Sequence, residues 1–159
     1  MTDQMTISMV LSTWSSTVKR VDSLLEKLSD DDLQNQIAPN RNSGIYLLGH
    51  LTAVHDIMIP LLNLGEKMHP EIATTYIRTP DNAAERPYSA EQVRSYWTSI
   101  NSELAARFSE LESDEWFQKH TSISAEDFEK EPHRNKLNVV INRTNHLSYH
   151  LGQLALLKK

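Results

Sequence analysis

Four stretches of this 159-residue chain repeat apolar side chains at three- and four-residue steps, and that repetition restricts it to a helical architecture. In the first, from about residue 7 to residue 28, Val10, Leu11, Trp14, Val18, Val21, Leu24, Leu25 and Leu28 line one stripe of an amphipathic helix. Ser29 followed by Asp30, Asp31 and Asp32 reads as an N-cap with an acidic first turn, leading into a short helical piece through Leu33 and Ile37. The second long helix is predicted over residues 44–64, capped by Ser43 and bent near its end by Pro60. Its apolar residues cover most of the circumference, so it is expected to be buried on several sides, in the core or in a subunit interface. Ser89 and Gln92 have capping-box spacing and start a third helix to about residue 111, with Val93, Trp97, Ile100, Leu104 and Phe108 on one stripe. A fourth is predicted over residues 135–157, with Leu137, Val140, Ile141, Thr144, Leu147, Leu151, Leu154 and Leu157 facing inward.

The segments between are of two kinds. Residues 65–87, with Pro70, Pro80 and Pro87, form a long connection, and loops of that length are often functional. Residues 113–134 are charged and irregular, with a short turn after Ser124 and a stop at Pro132. With only four glycines and no alternating strand pattern, the expected fold is all-α: a four-helix bundle with a long crossover between the second and third helices, the whole of 1–159 forming a single domain.

Composition excludes several classes of function. The chain has no cysteine, which removes disulfides, thiolate metal sites, iron–sulfur clusters and a cysteine nucleophile together, so any metal must be held by nitrogen and oxygen. A net charge of −5, without a basic block longer than Lys158-Lys159, argues against a nucleic-acid surface. The start of the chain lacks the basic and apolar pattern of a signal peptide, and the apolar stretch of residues 45–64 is interrupted by His50, His55, Asp56, Pro60 and Asn63. The expectation is a cytoplasmic protein with no membrane partner. There is no glycine-rich phosphate loop, no G-x-S-x-G and no carboxylate-rich pair of E-x-x-H motifs on two helices, which disfavours nucleotide, serine-hydrolase and di-iron chemistry.

The chemistry-bearing residues are histidines. His146 and His150 stand four apart, on one helix face and a turn from each other, close enough to bind one ion. The spacing alone is weak evidence, because roughly 0.3 such pairs are expected by chance among seven histidines. Both flank Leu147 beside the inward stripe, where an imidazole needs a partner, either an ion or a hydrogen bond in the core. Gly152 suggests a close helix approach or a neighbouring group that needs space, and Gln153 could orient a ligand. His50 sits in the apolar second helix and can join them. His55, about 140° further round that helix, cannot easily share the same ion and is read as a core residue, with a place near the pocket beside Asp56 as the alternative. His69, His120 and His133 fall in connections and read as solvated, while Trp14, Tyr96 and Trp97 read as core.

The segments LLGHLTAVHD and NHLSYHLGQLALL together resemble the DinB-like family of metal-binding helical bundles, and the resemblance spans the chain. It implies one histidine from the second helix, matched by His50, and an H-x-x-x-H-x-G-Q motif on the last, matched by His146, His150, Gly152 and Gln153. It further implies one divalent metal ion, zinc or nickel, and a homodimer. The activities it implies are thiol-dependent S-transfer and thiol-dependent isomerisation. Three neutral imidazoles leave coordination positions open, as in catalytic sites. The reading is therefore a metal-dependent enzyme acting on a small-molecule substrate, in which the ion activates water for hydrolysis or a low-molecular-weight thiol for S-transfer. Tyr46, Asp56, Tyr149 and Gln153 are further pocket candidates, and no general base stands out. The rival is a non-catalytic dimeric binding protein whose metal is structural or absent.

Overall fold

A computed structural model describes residues 3–81 and 87–158. Its helices are α1 (Asp3–Leu25), α2 (Asp30–Gln34), α3 (Gly44–Leu61), α4 (Ala90–Glu110), α5 (Ala125–Lys130) and α6 (Lys136–Leu154). Thr74–Arg78 forms a π-helical turn, and Glu115–Phe117 and Ala155–Leu157 form 3₁₀ turns. No extended strand occurs among the described residues. The four long stretches read from the sequence are α1, α3, α4 and α6. Residues 82–86 of the expected connection lie outside the described residues, as does Lys159.

Helix starts follow local chemistry. Ser29, Ser43, Ser89, Ser124 and Asn135 each accept a hydrogen bond from the backbone N–H three residues on, satisfying one of the donors a helix leaves open at its N-terminus. Ser29 with Asp32 and Ser89 with Gln92 close reciprocal capping boxes. Ends differ more from expectation. α1 stops at Leu25, three residues early, although Leu28 still packs into the core. α3 ends one residue past Pro60, where Asn63 takes a left-handed conformation (φ 59°) and Leu64 N–H bonds back to the Ile59 carbonyl at 2.9 Å.

Contacts fix the relative directions of the long helices. Met9 and Thr13 of α1 lie beside Ile141 and Asn145 of α6, and Arg20 and Leu24 beside Ser148 and Gly152, so these two run the same way. His55 meets Asn101, and the Leu64 carbonyl meets Arg107, so α3 and α4 also run together. α3 opposes α6, since Gly44 packs on Leu157 while His50 faces His146. Residues 68–81 run back along α3, from Asp56 near its end to Ser43 at its start.

The return segment is stitched to α3. The buried Asp56 carboxylate accepts the backbone N–H groups of Met68 (2.7 Å) and His69 (3.1 Å). Tyr46 donates its hydroxyl to the Thr79 carbonyl, and the Asp81 carboxylate accepts the Ser43 N–H. Tyr76, fully buried, lays its ring against Gly49, where a Cβ would overlap it. That close approach is what the glycine provides.

The apolar stripes converge on one core containing Trp14, Val21, Leu48, Leu51, Trp97 and Leu147 among others. α3 alone among the described helices is long and apolar enough to cross a membrane, with 72% of that span packed inside the protein. Its apolar circumference is therefore covered by its own chain. Two expectations fail on α6. Ile141 is 41% exposed rather than inward, and nothing lies within 4 Å of a Cβ built on Gly152, so no helix approaches there.

Candidate metal centre

α3 and α6 bring His50, His146 and His150 together. His50 Nε2 lies 3.2 Å from His146 Nε2, and His150 Nε2 lies 3.1 Å from the same atom. The three rings meet edge to face, and each histidine is partly open to solvent.

Tautomers explain why this cluster suits a cation. His50 Nδ1 is 2.9 Å from the Tyr76 carbonyl, and His150 Nδ1 is 2.6 Å from Gln153 Oε1. Gln153 donates its own amide N–H to Tyr149 Oη, which keeps its oxygen on His150. Both acceptors are carbonyl oxygens, so both Nδ1 atoms carry the proton and both Nε2 atoms present lone pairs. His146 Nε2 can donate one proton at most, which leaves one of the two short contacts between facing lone pairs. A positive ion removes that conflict. Two nitrogens held about 2.0–2.1 Å from a tetrahedral ion lie about 3.3–3.4 Å apart, close to the spacings seen, so the residues fit a single divalent ion.

The electrostatics favour the neutral form of His146 and His150. His146 is pushed down to about 4 by burial, then by His150, His50, Arg143 and His55. Burial also lowers His150, with the Gln153 hydrogen bond working the other way. His146 therefore retains its lone pair through mildly acidic pH, where free imidazole would be protonated.

The other sequence candidates resolve differently. His55 is fully buried, bonds Asn101 Oδ1 through Nδ1 at 2.7 Å, and burial lowers it to about 4. Asp56 is engaged by the return segment, and Tyr46 by Thr79. Tyr149 is 64% exposed with its ring 5.0 Å from that of His150, at the rim of the centre. Trp14 and Trp97 are core, as expected. His69 is not merely solvated, since its ring stacks on Tyr96 at 3.8 Å. A groove of about 460 Å³ between α1 and α4, lined by Trp14, Asp22, Trp97 and Asn101, includes none of the three histidines. A polar depression of about 200 Å³, formed by Asn40, Arg41 and Asn42, adjoins the centre through Gln153.

Sequence reasoning missed Tyr76 and Arg143. Tyr76 acts through its backbone carbonyl, which leaves no mark on side-chain pattern. Arg143, three residues before His146, could have been found by helical spacing.

The chain is a helical protein that gathers three imidazoles between two antiparallel helices, two of them from H-x-x-x-H, in a cluster that could hold a metal ion. The chain belongs to the DinB superfamily, whose sequence profile matches residues 13–154. No curated protein matches it significantly.

Proposed function

We propose that this protein is a metal-dependent enzyme whose mononuclear centre is held by His50, His146 and His150 within a single-domain four-helix bundle, with residues 62–89 as the crossover. The observation that carries the proposal is the convergence of three Nε2 atoms, two with their tautomers fixed by carbonyl acceptors, at partly exposed positions. A closed structural site would be expected to bury its ligands, so the exposure counts against a non-catalytic reading. Imidazole donors suit zinc or nickel. A divalent ion there supplies Lewis acidity that lowers the pKa of a coordinated water or thiol.

Thiol activation is the better supported branch. Asp56 and His55, the acid–base candidates nearest in sequence to His50, are committed to Met68, His69 and Asn101. The groups that touch the triad, Gln153 and the Tyr76 carbonyl, are not bases. A thiolate nucleophile needs no strong base once its pKa is depressed, whereas hydrolysis gains from one. The reading is therefore S-transfer from a low-molecular-weight thiol to a small electrophile, in the cytoplasm. A homodimer belongs to the same proposal. Its contact is better placed on the exposed Met9 and Ile141 than on α3, which its own chain covers.

Metal analysis of untagged protein tests the centre: zinc or nickel should be present at a single ion per chain and be removed by chelator. Thiol-dependent consumption of an electrophile that disappears on chelation and returns with the ion supports the transferase branch. A metal-free protein that takes up neither ion on titration would refute the proposal.

A further inference from the structure

The partly exposed residues in this part of α6 follow one stripe: Arg143, His146, His150 and Gln153. Arg143 stands one turn before His146 on the same half-buried face of α6. Its Nε is buried without a hydrogen-bond partner, and its guanidinium makes no ion pair among the described residues. The other partly buried arginines differ. Arg94 holds Asp30 and the carbonyls of Leu25 and Leu28; Arg107 holds Glu103 and the Leu64 carbonyl; Arg134 holds Glu131. Burial also lowers the pKa of Arg143. A half-buried cation one turn from His146, with no acceptor among the described residues, is free to take an anionic group from outside the chain.

We propose that Arg143 is the anion-binding residue of the centre, holding a carboxylate of a small ligand whose thiol end reaches the metal. The proposal rests on the metal reading above and narrows its thiol to an anionic one. Residues three apart on a helix are neighbours on one face, so a ligand that reaches from the ion to the guanidinium can be short, such as a three-carbon mercapto acid. Guanidinium suits this task because its planar fork meets a carboxylate with two parallel hydrogen bonds.

The test uses cobalt(II)-loaded protein titrated with 3-mercaptopropionate and with its uncharged methyl ester, reading the near-ultraviolet thiolate-to-cobalt absorption. Wild type should bind the acid at least roughly tenfold more tightly than the ester, the size of one charged hydrogen bond. Arg143→Gln should remove that preference by weakening the acid alone, and Arg143→Lys should keep part of it. Arg143→Gln should also melt no more than about 2 °C below wild type, since the side chain it replaces has no partner to lose among the described residues. Equal affinities in wild type, or a preference that survives Arg143→Gln, overturns the role of Arg143 and leaves the metal centre standing. Failure of wild type to take up cobalt overturns the centre itself. If Arg143→Gln does not fold, the selectivity of wild type and of Arg143→Lys still decides the question.

Discussion

α3 and α6 both carry histidines of the centre, but they hold them by opposite means. On α3, thirteen of eighteen residues are buried, and what each histidine does is settled by neighbours far along the chain: Tyr76 for His50 and Asn101 for His55. On α6, eight of nineteen are buried, and the arrangement is local: His146 and His150 are four apart, and Gln153 orients His150 from three residues on. A ligand on α6 is therefore readable as spacing, whereas one on α3 depends on how the return segment packs. If the contrast is real, changes on α6 should affect the metal with little effect on the fold, and changes on α3 should affect the fold.

The largest effect is expected from His150→Ala. A centre with three protein ligands has none to spare, so metal affinity should fall by more than the roughly 10–100-fold typical of losing an orienting group. Helix content should stay near wild type, because the apolar stripes rather than the ion supply the folding free energy. The stability lost should not exceed the mass-action contribution of bound metal, about 2.7 kcal/mol at a hundred times the dissociation constant. Metal titration and circular dichroism, with and without chelator, check this. Unchanged affinity would exclude His150 as a ligand.

On α3 the counterpart is His55, whose removal should leave metal affinity nearly unchanged and alter stability instead. Its folded pKa of about 4 lies below the ordinary 6.5, so the unfolded chain binds the proton more readily between those values. Stability is then full above about pH 6.5, falls as pH drops toward 4, and levels off below, with His55 alone accounting for about 3 kcal/mol. His146 and His150 push the same way in metal-free protein, so the readout is the difference between wild type and His55→Gln in urea unfolding. The variant should lose less stability on acidification. Equal slopes would mean that His55 is already partnered in the unfolded state or is not buried.

The same contrast explains what was legible beforehand. The existence and type of the four long helices followed from period, because burial of one stripe leaves a 3.6-residue mark whatever the partner is. The caps at Ser29, Ser43 and Ser89 followed from local hydrogen bonding. His146, His150 and Gln153 were readable as a spaced set, and His50 came with the family motif. The support of His50 was not readable, since a backbone carbonyl from a π-helical turn is supplied by tertiary packing. Gly152 was misread for the same reason: a glycine in a helix signals close approach only when something approaches, and here it faces solvent, while Gly49 makes the real contact.

That pair of glycines gives the most direct comparison and the smallest expected effects. Gly49→Ala places a methyl group into the fully buried Tyr76 ring, which cannot swing into open space, so the turn carrying the Tyr76 carbonyl must shift. The cost should be about 1–3 kcal/mol of stability, with a roughly 10–100-fold loss of metal affinity as the hydrogen bond to His50 Nδ1 lengthens. Gly152→Ala meets nothing within 4 Å and lies inside α6 on an exposed position. It should therefore stabilise the protein by up to about 1 kcal/mol, through the reduced freedom of the unfolded chain and the better helix propensity of alanine. In thermal unfolding that is a rise of about 2–4 °C, with metal affinity unchanged. A Gly152→Ala protein that melts below wild type would show that a surface outside this chain packs against that position, which would move the proposed dimer contact from Met9 and Ile141 to the face of α6 around Gly152.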